Sequence, residues 1–167
     1  MKIVGVGGLD VAERNRKGIK TFALGSCVAL ILVHPPSRRV GMAHVALPNS
    51  RFMSEKSKPL PAYHADLAFP ALLERMSAGL PGEPRREMFA VLIGGARMND
   101  QNDLFQIGPR NTTALRTLLA AAGIPIRAED LGGAQVSRTV AVENKAWRVV
   151  IHYGGSQRET VIPLGRL

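Results

Sequence analysis

The sequence predicts an α/β protein, strand-heavy, with about two substantial helices packed on mixed sheet. Three observations predict it. Most apolar runs are of strand length, rich in Val, Ile and Leu, and bounded by Gly, Pro, Asn or Asp. Two segments instead space their apolar residues three and four apart, as a helix does. The 167 residues are 46% hydrophobic, ordinary for a folded chain and enough for one core without disulfides. A single domain over residues 1–167 is expected, since neither an internal repeat nor a low-complexity tract divides the chain.

Residues 2–11 alternate loosely and read as one strand. Residues 13–20 are polar and basic, a surface connection. Residues 21–33 are nearly all apolar and are interrupted by Gly25-Ser26. His34-Pro35-Pro36-Ser37 breaks that run, because proline lacks a donor and fixes φ. A second apolar run, 40–47, follows, so the two make a β-hairpin. Both of its faces are apolar, which places it in a sheet covered on both sides.

Residues 48–61 read as a polar loop. Leu67, Leu72, Leu73, Met76 and Leu80 recur at helical spacing, and Pro70 either starts that helix near Phe69 or kinks it. Residues 88–93 form a buried strand ending at Gly94-Gly95, and 97–103 a polar loop. Asn111 then reads as the N-cap of the second helix, with Leu115, Leu118 and Leu119 on one face and Gly123 as its stop. Residues 124–128, 136–142 and 147–153 read as strands, with 130–133 as the turn between the first two. Residues 160–164 make a last edge strand.

Twenty-two Lys+Arg against 13 Asp+Glu give a net charge of +9, which favours an acidic partner. The cations are scattered in small groups at turns and loops, however, and aromatics are only 5%, too few for base-stacking platforms. No nucleic-acid-binding signature is present, so no nucleic acid is expected as partner. A lone cysteine excludes an internal disulfide and a Cys-rich zinc site. No His/Asp/Glu spacing points to a metal. Gly5-Val-Gly-Gly8 lacks the full fingerprint of a dinucleotide loop and its following helix. No apolar run approaches the roughly 18 residues that span a bilayer, and the N-terminus does not read as a signal peptide. A cytoplasmic protein with no membrane insertion is the expectation.

The candidate chemistry centres on Cys27, in Leu24-Gly25-Ser26-Cys27 at the opening of an apolar strand. A glycine-containing turn before a nucleophile lets backbone N–H groups face a developing oxyanion. If the hairpin pairs residues whose numbers sum to 71, Cys27 faces His44 directly; if 73, the two are diagonal neighbours. Either sum puts both side chains on one face of the sheet. A histidine within reach of a thiol can take its proton and leave a thiolate. Thr21, six residues before Cys27, is a candidate to orient the imidazole, with Asp66 and Asp130 as rivals. His34, His64 and His152 read as surface or satisfied histidines.

Thr21-Phe-Ala-Leu-Gly-Ser-Cys-Val-Ala-Leu30 and Gly41-Met-Ala-His44, followed by Leu47-Pro48, resemble the signature of the CheD family of chemoreceptor glutamine deamidases. The likeness continues through Tyr63 to Asp66, Ile93-Gly-Gly-Ala-Arg-Met98, Ile107-Gly-Pro-Arg-Asn111 and Asp130-Leu-Gly-Gly133 with Arg138. It spans almost the whole chain in order. The resemblance implies a strand-rich α/β sandwich related to the deamidating cytotoxic necrotizing factors. It also implies a cofactor-free cysteine hydrolase acting on glutamine side chains of chemoreceptors, with Cys27 as nucleophile, His44 as base and Thr21 as orienting group. CheC-type phosphatases are a second partner of the family. Two departures stand out: Asn144-Lys-Ala-Trp147 has no glycine where the family turns with one, and Pro70 replaces a small helix former.

On this reading Gly25 and Ser26 supply backbone support for the oxyanion. A glutamyl methyl ester would be a second substrate of the same site. Arg51, Lys56 and Lys58, in the loop after His44, are expected to contact the receptor surface. Two other readings keep the residues and change the role: a regulatory binding protein of the chemotaxis pathway, or a deamidase of some other protein.

Overall fold

The computed structural model describes residues 1–52, 60–98 and 105–166. Two five-stranded sheets face each other, and two helices cover the far side of one of them. The first sheet has the order β1-β3-β8-β9-β10, comprising β1 (Lys2–Ile3), β3 (Gly18–Leu24), β8 (Arg138–Glu143), β9 (Arg148–Tyr153) and β10 (Glu159–Pro163). The second has the order β2-β5-β4-β6-β7, comprising β2 (Leu9–Ala12), β5 (Arg39–Val45), β4 (Val28–His34), β6 (Phe89–Gly94) and β7 (Ile126–Leu131). Both sheets are mixed: β1 runs parallel to β3 and β6 parallel to β7, and the other pairs are antiparallel. The molecule is an α/β sandwich, as expected.

Strand β4 explains the layering. All seven of its residues are buried. Side chains alternate with period two, so Ala29, Ile31 and Val33 enter the layer between the sheets, with Ile19, Met42, Val140 and Ile151. Val28, Leu30 and Leu32 meet Leu72, Met76, Leu115 and Leu119 beneath the helices. Helix α1 (Ala65–Ser77) crosses β5 at Gly41. A Cβ there would lie 2.8 Å from the Met76 Sδ and 2.9 Å from the Leu72 Cδ1, so a larger residue would force those two side chains to move.

Four expectations need correction. The N-terminal strand is two strands, β1 and β2, which the Gly5–Gly8 stretch sends into different sheets. Strand β3 begins at Gly18, within the segment read as a connection. Helix α1 starts at Ala65 and not near Phe69, so Pro70 lies inside it and deprives the Asp66 carbonyl of its donor. Burial of Ala65, Ala68, Phe69, Leu72 and Met76 outweighs that single loss. Helix α2 (Ile107–Ala121) starts four residues before Asn111, with Gln106 at its N-cap position and no side-chain capping bond, so Asn111 lies inside it; Gly123, in the left-handed region, follows its end as expected.

The turn without glycine also has its reason. Trp147 takes the left-handed conformation that glycine would, with φ 53°. Its ring carries the Arg38 guanidinium at 4.6 Å, and that group donates at 2.8 Å to the Asn144 carbonyl.

Candidate active site

Gly25-Ser26-Cys27 carries the chain from β3 in one sheet to β4 in the other. Every carbonyl of this turn is tied back to the body of the protein. The Gly25 carbonyl accepts from the Ala96 N–H at 2.9 Å, and the Cys27 carbonyl from the Gly95 N–H at 2.9 Å. The Ser26 carbonyl accepts from the Asn111 side-chain amide at 3.1 Å. Trans peptide planes set N–H opposite C=O, so the Ser26 and Cys27 N–H groups face away from these anchors. Gly94 makes the arrangement possible. Its φ is 120°, and a Cβ would come within 2.2 Å of the Cys27 carbonyl oxygen.

His44 lies near the end of β5, opposite Ala29. The hairpin sum is therefore 73, which makes Cys27 and His44 diagonal neighbours on the face toward the other sheet. Backbone bonds fix the strand on either side of the ring: His44 N–H donates to the Gly8 carbonyl at 3.0 Å, and its carbonyl accepts from Gly7 at 2.9 Å. The glycine motif at 5–8 thus braces the histidine. Across the inter-sheet layer, Thr21 Oγ1 lies 2.7 Å from His44 Nδ1 and 2.7 Å from the Val4 carbonyl oxygen. The hydroxyl has one proton, and the Val4 carbonyl can only accept. Thr21 therefore donates to Val4 and accepts from Nδ1–H, which leaves Nε2 as the unprotonated nitrogen.

That Nε2 is buried and has no hydrogen-bond partner among the described residues. Cys27 is half-buried and shares its face without hydrogen-bonding to the ring. Burial raises the thiol above its ordinary pKa, against a smaller lowering by its own backbone N–H. Burial also lowers His44 from near 6.5 to about 4. At neutral pH the pair rests as neutral thiol and neutral imidazole. This arrangement can pass a proton from sulfur to nitrogen when an electrophile arrives, and carries no standing ion pair.

The rival orienters are engaged elsewhere. Asp66 accepts from the Ser50 N–H and hydroxyl, and Asp130 from Arg138 and Tyr153. His34 bonds Ser37 and His152 lies beside Glu159. His64 is buried, with its Nδ1 unpartnered among the described residues. Arg51 is exposed in a short 3-10 turn (Ser50–Phe52). Lys56 and Lys58 lie outside the described residues. No group of three His, Cys, Asp or Glu among the described residues is placed to hold a metal, and no described helix is long and apolar enough to cross a membrane.

Sequence reasoning missed three supports: the Val4 carbonyl, the Gly7–Gly8 brace and Asn111. The first two are backbone groups and carry no side-chain signal. Asn111 had a competing local reading as a helix cap. A cavity of about 490 Å³ lined by Leu47, Pro48, His64, Phe105, Ile107 and Arg110 also opens just past the end of β5.

Fold and site together define a class: an α/β sandwich with a thiol, an imidazole and a hydroxyl gathered at one end of its inter-sheet layer. The family model described as CheD, chemotactic sensory transduction, matches residues 46–153, a span that begins just after His44. The chain is 39% identical over 140 residues to the "Probable chemoreceptor glutamine deamidase CheD" of Syntrophotalea carbinolica, covering 84% of this chain and 86% of that protein. To the protein of the same name from Solibacter usitatus it is 37% identical over 159 residues, covering 95% and 92%. To the "Chemoreceptor glutamine deamidase CheD" of Halalkalibacterium halodurans it is 36% identical over 151 residues, covering 89% and 90%. The chain belongs to the CheD family.

Proposed function

We propose that this protein is a cysteine-dependent, cofactor-free glutamine deamidase acting on the cytoplasmic regions of chemoreceptors. The observation that carries the reading is the Thr21–His44 hydrogen bond, which leaves Nε2 unprotonated on the face it shares with Cys27. The names of the relatives supply the substrate class.

The Cys27 sulfur attacks the carboxamide carbon of a receptor glutamine while His44 Nε2 takes the thiol proton. The Ser26 and Cys27 N–H groups receive the oxyanion. His44 then gives its proton to the departing nitrogen, the C–N bond breaks, and ammonia leaves a thioester on Cys27. Neutral His44 next removes a proton from water, whose oxygen attacks the thioester carbon. The C–S bond breaks, His44 returns the proton to sulfur, and glutamate remains. Thr21 holds the ring through both transfers. A glutamyl methyl ester would follow the same course with methanol as leaving group. Arg51, and Lys56 and Lys58 beside it in sequence, are placed by this reading against the acidic face of the receptor. A CheC-type phosphatase is the second partner it assigns.

Incubating a receptor cytoplasmic fragment with the protein should release ammonia, and Cys27→Ala should release none while keeping its fold. Release by the variant would contradict the nucleophile. Binding without any release by the wild type would instead favour a regulatory binder.

A further inference from the structure

We propose that Asn111 is a positioning residue of the reaction: its side-chain amide sets the Ser26–Cys27 peptide plane and ties it to the strand that carries His44. The inference rests on the cysteine mechanism above and deepens it.

Asn111 is fully buried within α2. Both protons of its Nδ2 are committed, one to the Ser26 carbonyl at 3.1 Å and the other to the Ala46 carbonyl at 3.0 Å. These acceptors lie 85 and 65 residues away in sequence. Ser26 immediately precedes the nucleophile, and Ala46 stands two residues beyond His44. One amide group therefore clamps the thiol's turn and the base's strand at a fixed separation.

The clamp also has a direction. With Ser26 C=O drawn toward Asn111, the trans peptide sends the Cys27 N–H the opposite way. That N–H already acts on its own sulfur, whose ionisation it favours. It is the donor a tetrahedral oxyanion on Cys27 would meet first. The flanking carbonyls, Gly25 and Cys27, are held by backbone amides. Ser26 is the one carbonyl of the turn anchored by a side chain, so its plane is the one a substitution can release.

Packing alone gives no reason for an amide here. The Oδ1 of Asn111 is buried with no hydrogen-bond partner among the described residues, an arrangement an apolar side chain of similar size would avoid. What the amide supplies is two donors aimed at two carbonyls. The position of α2 fits this task. Its second residue, Gly108, sits so close to the Gly95–Ala96 backbone that a Cβ would come within 2.2 Å of the Ala96 carbonyl oxygen. The helix is thereby pressed against the same segment that holds the other two carbonyls.

The test compares wild type, Asn111→Ala and Asn111→Asp, each checked for fold by circular dichroism. Two readouts are used: deamidation kinetics on a receptor fragment, and the pH profile of Cys27 alkylation by iodoacetamide, which needs no substrate. Asn111→Ala should lower kcat by about 10- to 100-fold with KM nearly unchanged, and should move the alkylation midpoint to higher pH. Asn111→Asp keeps the shape: its protonated carboxyl donates one hydrogen and its carboxylate none. Its kcat should rise as pH falls over a range where wild type is flat. Folded variants with wild-type kcat and alkylation profile would overturn the proposal, as would a loss confined to KM. A Cys27→Ala control separates the two claims. If ammonia release survives in that variant, the cysteine mechanism has failed, and the alkylation profile still decides the role of Asn111.

Discussion

Thr21 has a single hydroxyl proton and spends it on the Val4 carbonyl, so His44 can only donate to it through Nδ1. Thr21→Val removes the acceptor while keeping the shape. The ring is then free to take either tautomer, and kcat should fall about 10- to 100-fold. That is less than the loss of a carboxylate orienter would cause, because the hydroxyl is neutral. Steady-state kinetics beside a melting curve would check it; an unchanged kcat would remove Thr21 from the mechanism. The residues of this site were unequally legible in the sequence. Cys27 and His44 could be placed on one face because strand side chains alternate and either odd hairpin sum, 71 or 73, keeps the two together. From spacing alone Thr21 was one candidate among three, and only the resemblance singled it out, since its contact crosses between sheets and no local pattern encodes that. Asn111 was misassigned because asparagine is a good cap by local preference, while the fold uses its two donors from inside the helix.

At the scale of elements, the end of β6 is as necessary to the turn as the turn's own residues. Gly94 at φ 120° lets β6 pass directly under the Cys27 carbonyl. Gly94→Ala should cost about 2 kcal/mol or more from backbone strain alone, and should displace the carbonyl enough to depress activity further than stability. Urea unfolding beside kcat/KM would show both; a variant as stable and active as wild type would contradict this account of the turn. Strands β4 to β6 and β9 could be read from apolar runs between breakers, because they are buried on one face or both; β10, an edge strand with no buried residue, showed only as a short Val-Ile run. The split between β1 and β2 could not. Its cause is a set of backbone bonds from Gly7 and Gly8 to His44, which leave no trace in a hydrophobicity pattern. The start of α2 was missed because Asn111 read as its cap, which left Gly108 and Pro109 outside the helix, yet both are tolerated in a first helical turn.

Over the whole molecule, the site is assembled from segments around residues 4–8, 21–27, 44–46, 94–96 and 111, so it exists only when both sheets and α2 are in place. Burying His44 neutral therefore links catalysis to stability through pH. Its folded pKa of about 4 lies below the ordinary value near 6.5. Below 6.5 the unfolded chain takes a proton that the folded one refuses, so the contribution is present above 6.5 and is lost as pH falls toward 4. The loss is on the order of 2 kcal/mol. Urea midpoints at pH 7 and pH 4.5 should differ accordingly, and His44→Gln should flatten part of that difference; an equal slope in both proteins would contradict it. The two-sheet closure itself was legible only through the resemblance, since composition and periodicity name strands without saying which sheet each joins.

The most direct test of the central claim is the intact mass of a chemoreceptor cytoplasmic fragment carrying unmodified glutamines, after incubation with wild type or with Cys27→Ala. The account predicts a gain of about one dalton per modified site, the exchange of an amide for an acid, with wild type alone. An equal gain with Cys27→Ala, or none with a folded wild-type protein, would contradict it.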